Sequence, residues 1–440
     1  MKRILLPILL LGASVLELAI ASDAQSPPRP NVLLIIADDQ AWTDYGFMGH
    51  PQIRTPNLDR LAREGLLFRR GYVTSSLCCP SLASIITGRF PHQHKVTSND
   101  PPLPANVPPA QAYRTPAFRE GRERMDEHLE AVPTLPRVLG EHGYLSFQAG
   151  KWWQGNFRRG GFTHGMTVGD EAKGGRHGDA GLKIGRETLQ PVYDFIGEAQ
   201  RAEKPFFIWY APMMPHEPHT PPERLLAKYR GLAPTLPVAK YWAMVEWFDE
   251  TCGQLLDHLE RQGLATNTVV AFLADNGWIT DPVTGHYAPK SKQSPYDGGL
   301  RTPIILRWPE HIRPAESKRL ASSVDLMPTL LRACGLEPPA GLPGIDLLDP
   351  AAVKKRQAIF GACYVHTALD LDNPARNLRW RWGIEGNWKL VVPSPANEPN
   401  APVELYQLAA DPFETHNLAP KQAARVQRLR QRLDAWWPGQ

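Results

Sequence analysis

Three uninterrupted apolar runs constrain the fold of this chain more than any other feature of its sequence. They are Asn31–Ala37, Pro205–Tyr210 and Thr268–Ala274. A strand that is apolar at every position is buried on both faces, which is typical of a parallel sheet covered by helices. The sequence therefore predicts an α/β domain with a large, mostly parallel sheet flanked by helices. Functional sites in such sheets form beyond the carboxyl ends of the strands.

The length of 440 residues leaves room for a small second domain after the large one. A stretch rich in proline and glycine, Leu336–Asp349, indicates the boundary, so we expect a large domain over 31–345 and a small one over 346–440. Short strand-like runs and a final helix in the second part predict a small antiparallel sheet with one helix. Within the large domain, Thr55–Phe68 reads as a short amphipathic helix.

The N-terminus is predicted to be an export signal peptide over 1–21, followed by a tether over 22–30. Two basic residues precede an apolar stretch that ends in a small-residue cleavage motif. A membrane anchor is the alternative, although the run is short for a span and Pro7 and Glu17 interrupt it. We expect the mature protein to be periplasmic or secreted. A net charge of +4 without any long basic block argues against nucleic-acid binding.

The adjacent thiols Cys78 and Cys79 stand where a short helix is predicted to begin. Ser75 or Ser76 is expected to cap this helix, and Gly88 is expected to end it. The positive end of a helix attracts anions and lowers the pKa of a thiol placed there. The alternative is that both thiols are small core residues. The chain has five cysteines, too few for a disulfide scaffold, and the odd number leaves one as a special thiol.

Oxygen ligands follow two of the apolar runs directly. Asp38 and Asp39 come after the first run, and Asp275 and Asn276 come after the third. Adjacent carboxylates repel each other unless a cation lies between them, and an all-oxygen ligand set favours Ca²⁺ or Mg²⁺ over zinc. The alternatives are that Asp39 caps a turn and that Asn276 with the following glycine forms one.

Two lysines and a histidine are predicted to add positive charge and a proton donor to the same region. Lys151 follows the predicted strand Tyr144–Ala149, Lys292 precedes another strand, and His216 lies in a proline-rich loop after the second apolar run. Taken singly, Lys151 could be a surface residue and His216 a packed one. Together with a hard cation, these groups suit a sulfate or phosphate ester.

The chain resembles the formylglycine-dependent (type I) sulfatases of the alkaline phosphatase superfamily. The resemblance covers Asn31 to about Leu418 and rests on motifs that occur in the order of that family. These are NVLLIIADDQ, CCPSLASIITGRFPHQH, GYLSFQAGKW, PHEPH, ADNG, YDGGLRTPIILRWP and the tail signature WKL…ELYQLAADPFETHNLA. The resemblance implies an alkaline-phosphatase-like fold and a sulfuric ester hydrolase that acts on a sulfated carbohydrate or an aryl sulfate.

The resemblance also implies roles for individual residues. Cys78 matches the cysteine that a maturation enzyme converts to formylglycine, whose hydrate is the nucleophile. Lys151 and Lys292 match the sulfate-binding lysines, and His216 matches the histidine that protonates the leaving alcohol. A single Ca²⁺ is implied, with ligands at Asp38, Asp39, Cys78, Asp275 and Asn276.

Two positions depart from the family pattern. Leu82 replaces the arginine of the maturation motif, and Trp153 replaces a histidine that serves as a base. Three hypotheses follow: an active sulfatase in which His94 or His177 supplies the base, a sulfatase-fold protein that binds anionic glycans without turnover, and a phosphate or phosphonate ester hydrolase. Trp153 is also a candidate for stacking on a sugar ring.

Overall fold

The computed structural model describes residues 29–169 and 181–439. The predicted signal peptide, 1–21, and most of the predicted tether lie outside the described residues, as does His177. The strands of the large sheet are β1 Asn31–Ala37, β2 Leu66–Tyr72, β3 Leu145–Gly150, β4 His164–Gly165, β5 Phe206–Ala211, β6 Thr268–Ala274, β7 Arg301–Arg307 and β8 Ala315–Ser322. They lie in the order β4-β3-β5-β1-β6-β7-β2-β8.

The three apolar runs form the centre of this sheet. β1 pairs in parallel with β5 on one side and with β6 on the other, so that Leu34 lies opposite both Trp209 and Ala271. All three strands are buried along their whole length, as expected for strands covered on both faces. Only β7 runs antiparallel to its neighbours, which makes the sheet mixed but mostly parallel and confirms the predicted fold class.

Helices cover both faces of the sheet. The α-helices within the described residues are α1 Pro56–Glu64, α2 Cys78–Thr87, α3 Pro91–His94, α4 Pro109–Ala112, α5 Pro116–Glu130, α6 Leu135–Glu141, α7 Gln190–Arg201, α8 Glu223–Tyr229, α9 Leu236–Arg261, α10 Asp297–Leu300, α11 Leu326–Ala333, α12 Pro350–Lys355 and α13 Ala423–Trp436. Alternate β1 side chains enter two separate cores. Leu34 packs in the core that contains α2, α6 and α11, whereas Leu33 packs in the core that contains α1, α7 and α9.

Two parts of the large sheet differ from the sequence-based expectation. The predicted helix Thr55–Phe68 ends at Glu64, and β2 begins two residues later, so its last three residues belong to a strand. The edge strand β8 was not predicted, because its sequence AESKRLAS lacks an apolar run. The first residues of β8 are mostly exposed, and an edge strand tolerates the charges that a central strand excludes.

A second, antiparallel sheet follows in the chain. It consists of β9 Ala358–Tyr364, β10 Leu378–Glu385, β11 Trp388–Pro393 and β12 Glu404–Gln407, in the order β12-β11-β10-β9. We call these four strands the C-terminal sheet. Leu429 and Leu433 of α13 pack on its Leu390 and Leu405, as predicted for a small sheet with one helix.

None of the helices between residues 29 and 169 or between 181 and 439 combines the length and apolarity that are needed to cross a bilayer.

Candidate active site

The acidic side chains that follow β1 and β6 meet at the carboxyl edge of the large sheet. The Asp39 amide donates to Asp275 Oδ1 at 3.1 Å, and Asn276 Nδ2 donates to Asp39 Oδ1 at 2.6 Å. Asp38, Asp39, Asp275 and Asn276 are all at most 2% exposed. Asp39 has a φ of 63°, a left-handed conformation that aspartate tolerates better than most residues. The structure thus brings together all four oxygen-bearing residues that the sequence singled out.

Both predicted lysines point into this carboxylate cluster. Lys151, directly after β3, lies 2.6 Å from Asp38 Oδ1 and 3.5 Å from Asp275 Oδ2. Lys292 lies 2.7 Å from Asp39 Oδ2. Burial disfavours the charged form of each lysine, but the surrounding carboxylates outweigh it and raise the pKa of both. Both ammonium groups are therefore charged in the buried site.

The pKa values of the three carboxyl groups are shifted in different directions. Burial raises the pKa of Asp38, and it raises the pKa of Asp275 to about 7 with the help of the Asp38 charge. Burial acts on Asp39 in the same direction, but Lys292 and His216 outweigh it and lower its pKa to about 2. Three carboxylates face two ammonium groups, so the cluster has an excess of acidic groups that a cation can neutralise.

Three buried oxygens in the cluster accept no hydrogen bond within the described residues. They are Asp38 Oδ2, Asp275 Oδ2 and Asn276 Oδ1. One ligand atom from each of Asp38, Asp39, Cys78 and His216 lies within 4.8 Å of the others. Buried acceptors without donors are costly, and carboxylate and amide oxygens are the donors that Ca²⁺ prefers. The residues present therefore fit a hard divalent cation.

Cys78 lies at the first position of α2, but two expectations about this helix start are wrong. The cap residue is Leu77, which has no side-chain oxygen, instead of Ser75 or Ser76. The pKa of the Cys78 thiol is raised to about 12, because burial outweighs the attraction of Lys151 and Lys292. Unmodified Cys78 is therefore a neutral thiol at pH 7.

His216 closes the cluster on its more exposed side. Its Nε2 lies 3.4 Å from Asp39 Oδ2, and its Nδ1 donates to the Glu217 carbonyl at 2.5 Å. Burial lowers the pKa of His216 to about 4. The loop is held by Arg186, whose guanidinium donates to the Met213 carbonyl at 2.6 Å and to the His216 carbonyl at 3.3 Å. Arg186 is not predicted from the sequence, since an isolated arginine carries no positional signal.

The positions that depart from the family pattern are buried. Leu82 is part of the core beneath α2. Trp153 is 3% exposed, and its ring centroid lies 5.4 Å from Lys151 Nζ. Trp153 therefore packs beside the ammonium group of Lys151. The hypothesis that Trp153 stacks on a sugar ring is wrong, because its indole ring is not accessible to a substrate.

His94 is engaged in the core and does not face the cluster as a free base. Its Nδ1 accepts the Val96 amide at 3.2 Å, and its Nε2 lies 3.1 Å from Ser84 Oγ. Burial lowers its pKa to about 3. The hypothesis that His94 replaces the missing base is therefore wrong, and His177 lies outside the described residues.

The site opens to solvent only narrowly. The side chains of Lys292 and His216 are 9% and 19% exposed, whereas the carboxylates are fully covered. A cavity of about 730 Å³ lies elsewhere, between Phe90, Phe360 and Trp436.

Family models match most of the chain. A model described as Sulfatase matches residues 30–336, and one described as N-sulphoglucosamine sulphohydrolase, C-terminal, matches residues 285–436. These matches cover both the large sheet with its carboxylate cluster and the C-terminal sheet.

Curated relatives and solved structures agree with these models. N-acetylgalactosamine-6-sulfatase of Rattus norvegicus is 32% identical over 391 residues, which cover 79% of this chain and 69% of the relative. Arylsulfatase A of Homo sapiens is 32% identical over 394 residues, which cover 78% of this chain and 73% of the relative. BT4656, solved in complex with its substrate D-glucosamine-2-N,6-O-disulfate, superposes with a TM-score of 0.73 at 20% identity, covering 93% of this chain and 98% of that one.

The phosphonate monoester hydrolase of Agrobacterium radiobacter shares the fold, with a TM-score of 0.68 at 20% identity over 92% of this chain and 95% of that one. This similarity concerns the fold alone. The Sulfatase model covers more than half of the chain, and the first relatives exceed 30% identity over more than two thirds of it. The chain therefore belongs to the sulfatase family.

Proposed function

We propose that this chain hydrolyses a sulfate ester with one Ca²⁺ and a formylglycine derived from Cys78. The observation that carries the proposal is the buried cluster in which Lys151 and Lys292 meet three carboxylates beside the Cys78 thiol. The two lysines, together with a cation held by the carboxylates, would neutralise the charge on the non-bridging oxygens of a sulfuryl group, which is the main electrostatic demand of the reaction.

Asp38, Asp39, Asp275 and Asn276 would hold the Ca²⁺, together with the oxygen that replaces the Cys78 sulfur after maturation. The unpartnered Asp38 Oδ2 and Asn276 Oδ1 support this assignment. When bound, Ca²⁺ supplies a Lewis acid for the sulfuryl oxygens. A cation at this place also stabilises the ionised forms of Asp38 and Asp275, whose pKa values burial raises.

The raised pKa of Cys78 supports its conversion. A buried neutral thiol is a poor nucleophile at pH 7, since the thiolate is the reactive species. Formylglycine supplies an aldehyde hydrate, a nucleophile that does not depend on a thiolate. The motif Cys-x-Pro-Ser is present at Cys78–Ser81, and a formylglycine-generating maturation enzyme is therefore a proposed partner.

The surrounding side chains bind the substrate and move the proton. Lys151 and Lys292 bind sulfuryl oxygens from the two sides of the cluster. His216 delivers a proton from Nε2 to the leaving oxygen, since its Nδ1 is engaged with the Glu217 carbonyl. Burial keeps His216 neutral in the absence of substrate, and a bound anionic ester beside it favours the imidazolium.

The proposed substrate class is a sulfated carbohydrate or an aryl sulfate. It is supported by the names of the relatives N-acetylgalactosamine-6-sulfatase and arylsulfatase A, and by BT4656 with its glucosamine disulfate. The narrow opening beside His216 fits either class, since only the sulfate group has to enter.

The decisive experiment is mass analysis of the Cys78 peptide after expression in a host that matures sulfatases. We expect the mass of formylglycine, together with calcium-dependent sulfate release from a panel of sulfated sugars and aryl sulfates. The Cys78→Ala variant is the matched control and should release no sulfate. A peptide that contains only thiol in an enzyme that still turns over would exclude the formylglycine route.

Export through the segment 1–21 completes the proposal. It rests on the basic and apolar pattern of that segment, which lies outside the described residues. Cell fractionation should find the full-length protein outside the cytoplasm and a variant without residues 2–21 inside it. Cytoplasmic retention of the full-length protein would contradict export.

A further inference from the structure

We infer that the C-terminal sheet positions Lys292 through a buried ion cluster formed by Lys389, Glu414 and Asp297. The inference rests on the proposed role of Lys292 in sulfate binding. Lys389 and Glu414 belong to the tail signature, and they lie outside the large sheet and far along the chain from the site. Positioning of Lys292 would be a function of that signature.

The three side chains of this cluster are almost completely buried, each at most 1% exposed. Lys389 of β11 lies 2.9 Å from Asp297 Oδ1 and 2.7 Å from Glu414 Oε1. Glu414 also accepts the backbone amide of Asp297 at 2.6 Å. Two residues from the C-terminal part of the chain therefore hold both the side chain and the backbone of Asp297.

Asp297 in turn anchors the segment that carries Lys292. We call residues 290–297 the lysine loop. A Cβ atom on Gly298 would lie 2.3 Å from the Lys290 carbonyl oxygen, and one on Gly299 would lie 2.2 Å from the Ser291 carbonyl oxygen. The backbone after Asp297 is thus packed directly on the backbone before Lys292. A displacement of Asp297 is transmitted to Lys292 because no side chain lies between the two backbone segments.

The lysine loop requires such support. Lys290 and Gln293 have φ values of 60° and 62°, in the left-handed region that side chains other than glycine rarely adopt. Strained positions of this kind persist where the surrounding structure holds them. Lys292, which reaches Asp39, lies between the two strained residues.

The C-terminal sheet contacts the lysine loop at further points. Arg379 of β10 donates to the Gln293 carbonyl at 3.3 Å, and the thiol of Cys363 in β9 donates to the Ser294 carbonyl at 3.5 Å. Ser76, two residues before Cys78, donates to Cys363 Sγ at 3.3 Å. Strands β9, β10 and β11 therefore all contact segments that lead into the active site.

Removal of Glu414 tests the inference directly. We expect Glu414→Ala to weaken the affinity for inorganic sulfate, measured by calorimetry, by about 10-fold and to lower kcat/KM by about as much. Glu414→Gln keeps an acceptor for the Asp297 amide and should retain most of the affinity. Where the alanine variant does not fold, Arg379→Ala replaces it: loss of the hydrogen bond to the Gln293 carbonyl should also weaken sulfate binding, and unchanged affinity would contradict the inference.

A double-mutant cycle separates positioning from general support. If Glu414 acts through Lys292, the effect of Lys292→Met on sulfate affinity should be about 10-fold smaller in the Glu414→Ala background than in the wild type. The effect of Lys151→Met should be equal in both backgrounds, since Lys151 is held by β3. If the effect of Lys292→Met on sulfate affinity is the same in the wild type and in the Glu414→Ala background, as expected for Lys151→Met, the inference is wrong.

The pair Arg356–Asp325 provides a matched control. Arg356 donates to Asp325 Oδ1 at 2.6 Å, the pair is buried, and neither residue touches the lysine loop. Arg356→Met should lower the melting temperature and leave sulfate affinity within twofold of the wild type. An equal loss of affinity in Arg356→Met would show that general destabilisation explains the result.

Wild-type protein that binds sulfate but releases none from esters would refute the proposed function while the binding measurements still test this inference.

Discussion

Burial determines the chemistry of each ionisable residue in the site. It raises the pKa of Cys78 to about 12 and lowers that of His216 to about 4, so both groups are neutral before substrate binds. Asp39 and the two lysines are exceptions, because opposite charges outweigh burial there. Lys292 and His216 lower the pKa of Asp39 to about 2, and the carboxylates raise the pKa of both lysines. Under the proposed function, activation of these residues would depend on chemical conversion of Cys78, on a bound cation and on the charge of the substrate.

The role of His216 can be tested with leaving groups of different acidity. His216→Ala should lower kcat for a sugar sulfate by about 10²- to 10⁴-fold, because an alkoxide needs a proton to depart. For nitrophenyl sulfate the loss should be much smaller, since nitrophenolate departs without protonation. Steady-state kinetics on both substrates measure the difference. Equal losses on both would assign His216 to binding instead of proton transfer.

At the scale of elements, the end of β3 directs Lys151 into the site. Gly150 has a φ of 100°, and a Cβ atom there would lie 2.1 Å from the Ala211 carbonyl oxygen of β5. The Lys151 amide donates to the same carbonyl at 2.6 Å. Only glycine allows this close approach, and the approach turns the chain so that Lys151 faces Asp38.

Gly150→Ala should therefore abolish most activity and lower stability by several kcal/mol, because a backbone carbonyl cannot move out of the way as a side chain can. Gly143→Ala is the control: its φ is 86°, but no atom lies within 4 Å of the added Cβ. It should cost about 1 kcal/mol of backbone strain and keep activity. Urea denaturation and kcat/KM on both variants test this, and similar activities would contradict the assigned role of Gly150.

Asp249 of α9 joins two helices in a pH-dependent way. Its Oδ1 accepts the Leu58 amide of α1 at 2.8 Å, and its Oδ2 accepts Asn57 Nδ2 at 2.8 Å. Burial outweighs these hydrogen bonds and raises its pKa to about 7. A carboxyl whose folded pKa exceeds its unfolded value stabilises the fold fully below pH 3.8 and loses this contribution as pH rises through 7.

The destabilisation caused by Asp249→Ala should consequently shrink as pH rises from 5 to 8, by about 1 kcal/mol or more. Urea denaturation of wild type and variant at each pH measures the difference. Asp257→Ala is a suitable control on the same helix, because its side chain is 47% exposed and forms a surface ion pair with Arg60. If the loss of unfolding free energy caused by Asp249→Ala grows with pH, the raised pKa of Asp249 is contradicted.

At the scale of the whole molecule, the bound cation should stabilise the fold. Asp38, Asp39 and Asp275 come from segments that meet only in the folded chain, so a cation binds the native state in preference to the unfolded one. At a concentration 100 times its Kd, the ion contributes about 2.7 kcal/mol. Chelation should lower the Tm by roughly 3 °C and abolish sulfate release.

Calcium should restore both properties, and Mg²⁺ should restore them less well, because it requires a stricter octahedral geometry. Scanning calorimetry and sulfate release before and after chelation provide the measurements. The Asp39→Ala variant should show a Tm that calcium no longer shifts. Unchanged Tm and activity in chelated wild-type protein would argue against a structural and catalytic cation.

The sequence by itself determined the fold class and the central strands, and it singled out the acidic side chains that the structure brings together. This was possible because a strand buried on both faces requires an unbroken apolar run, and because these acidic residues follow such runs directly, as Asp38 and Asp39 follow β1. The motif order also led to the sulfatase family.

Only the tertiary structure decided which groups are desolvated and which distant segments support one another. The pKa of Cys78, the burial of Trp153 and the engagement of His94 depend on neighbours that no local pattern encodes. Lys292 and Asp39 are 253 residues apart, and Glu414 and Asp297 are 117 apart, yet each pair is in direct contact. Local sequence specifies period and residue type, whereas burial and long-range pairing arise from packing of the complete chain.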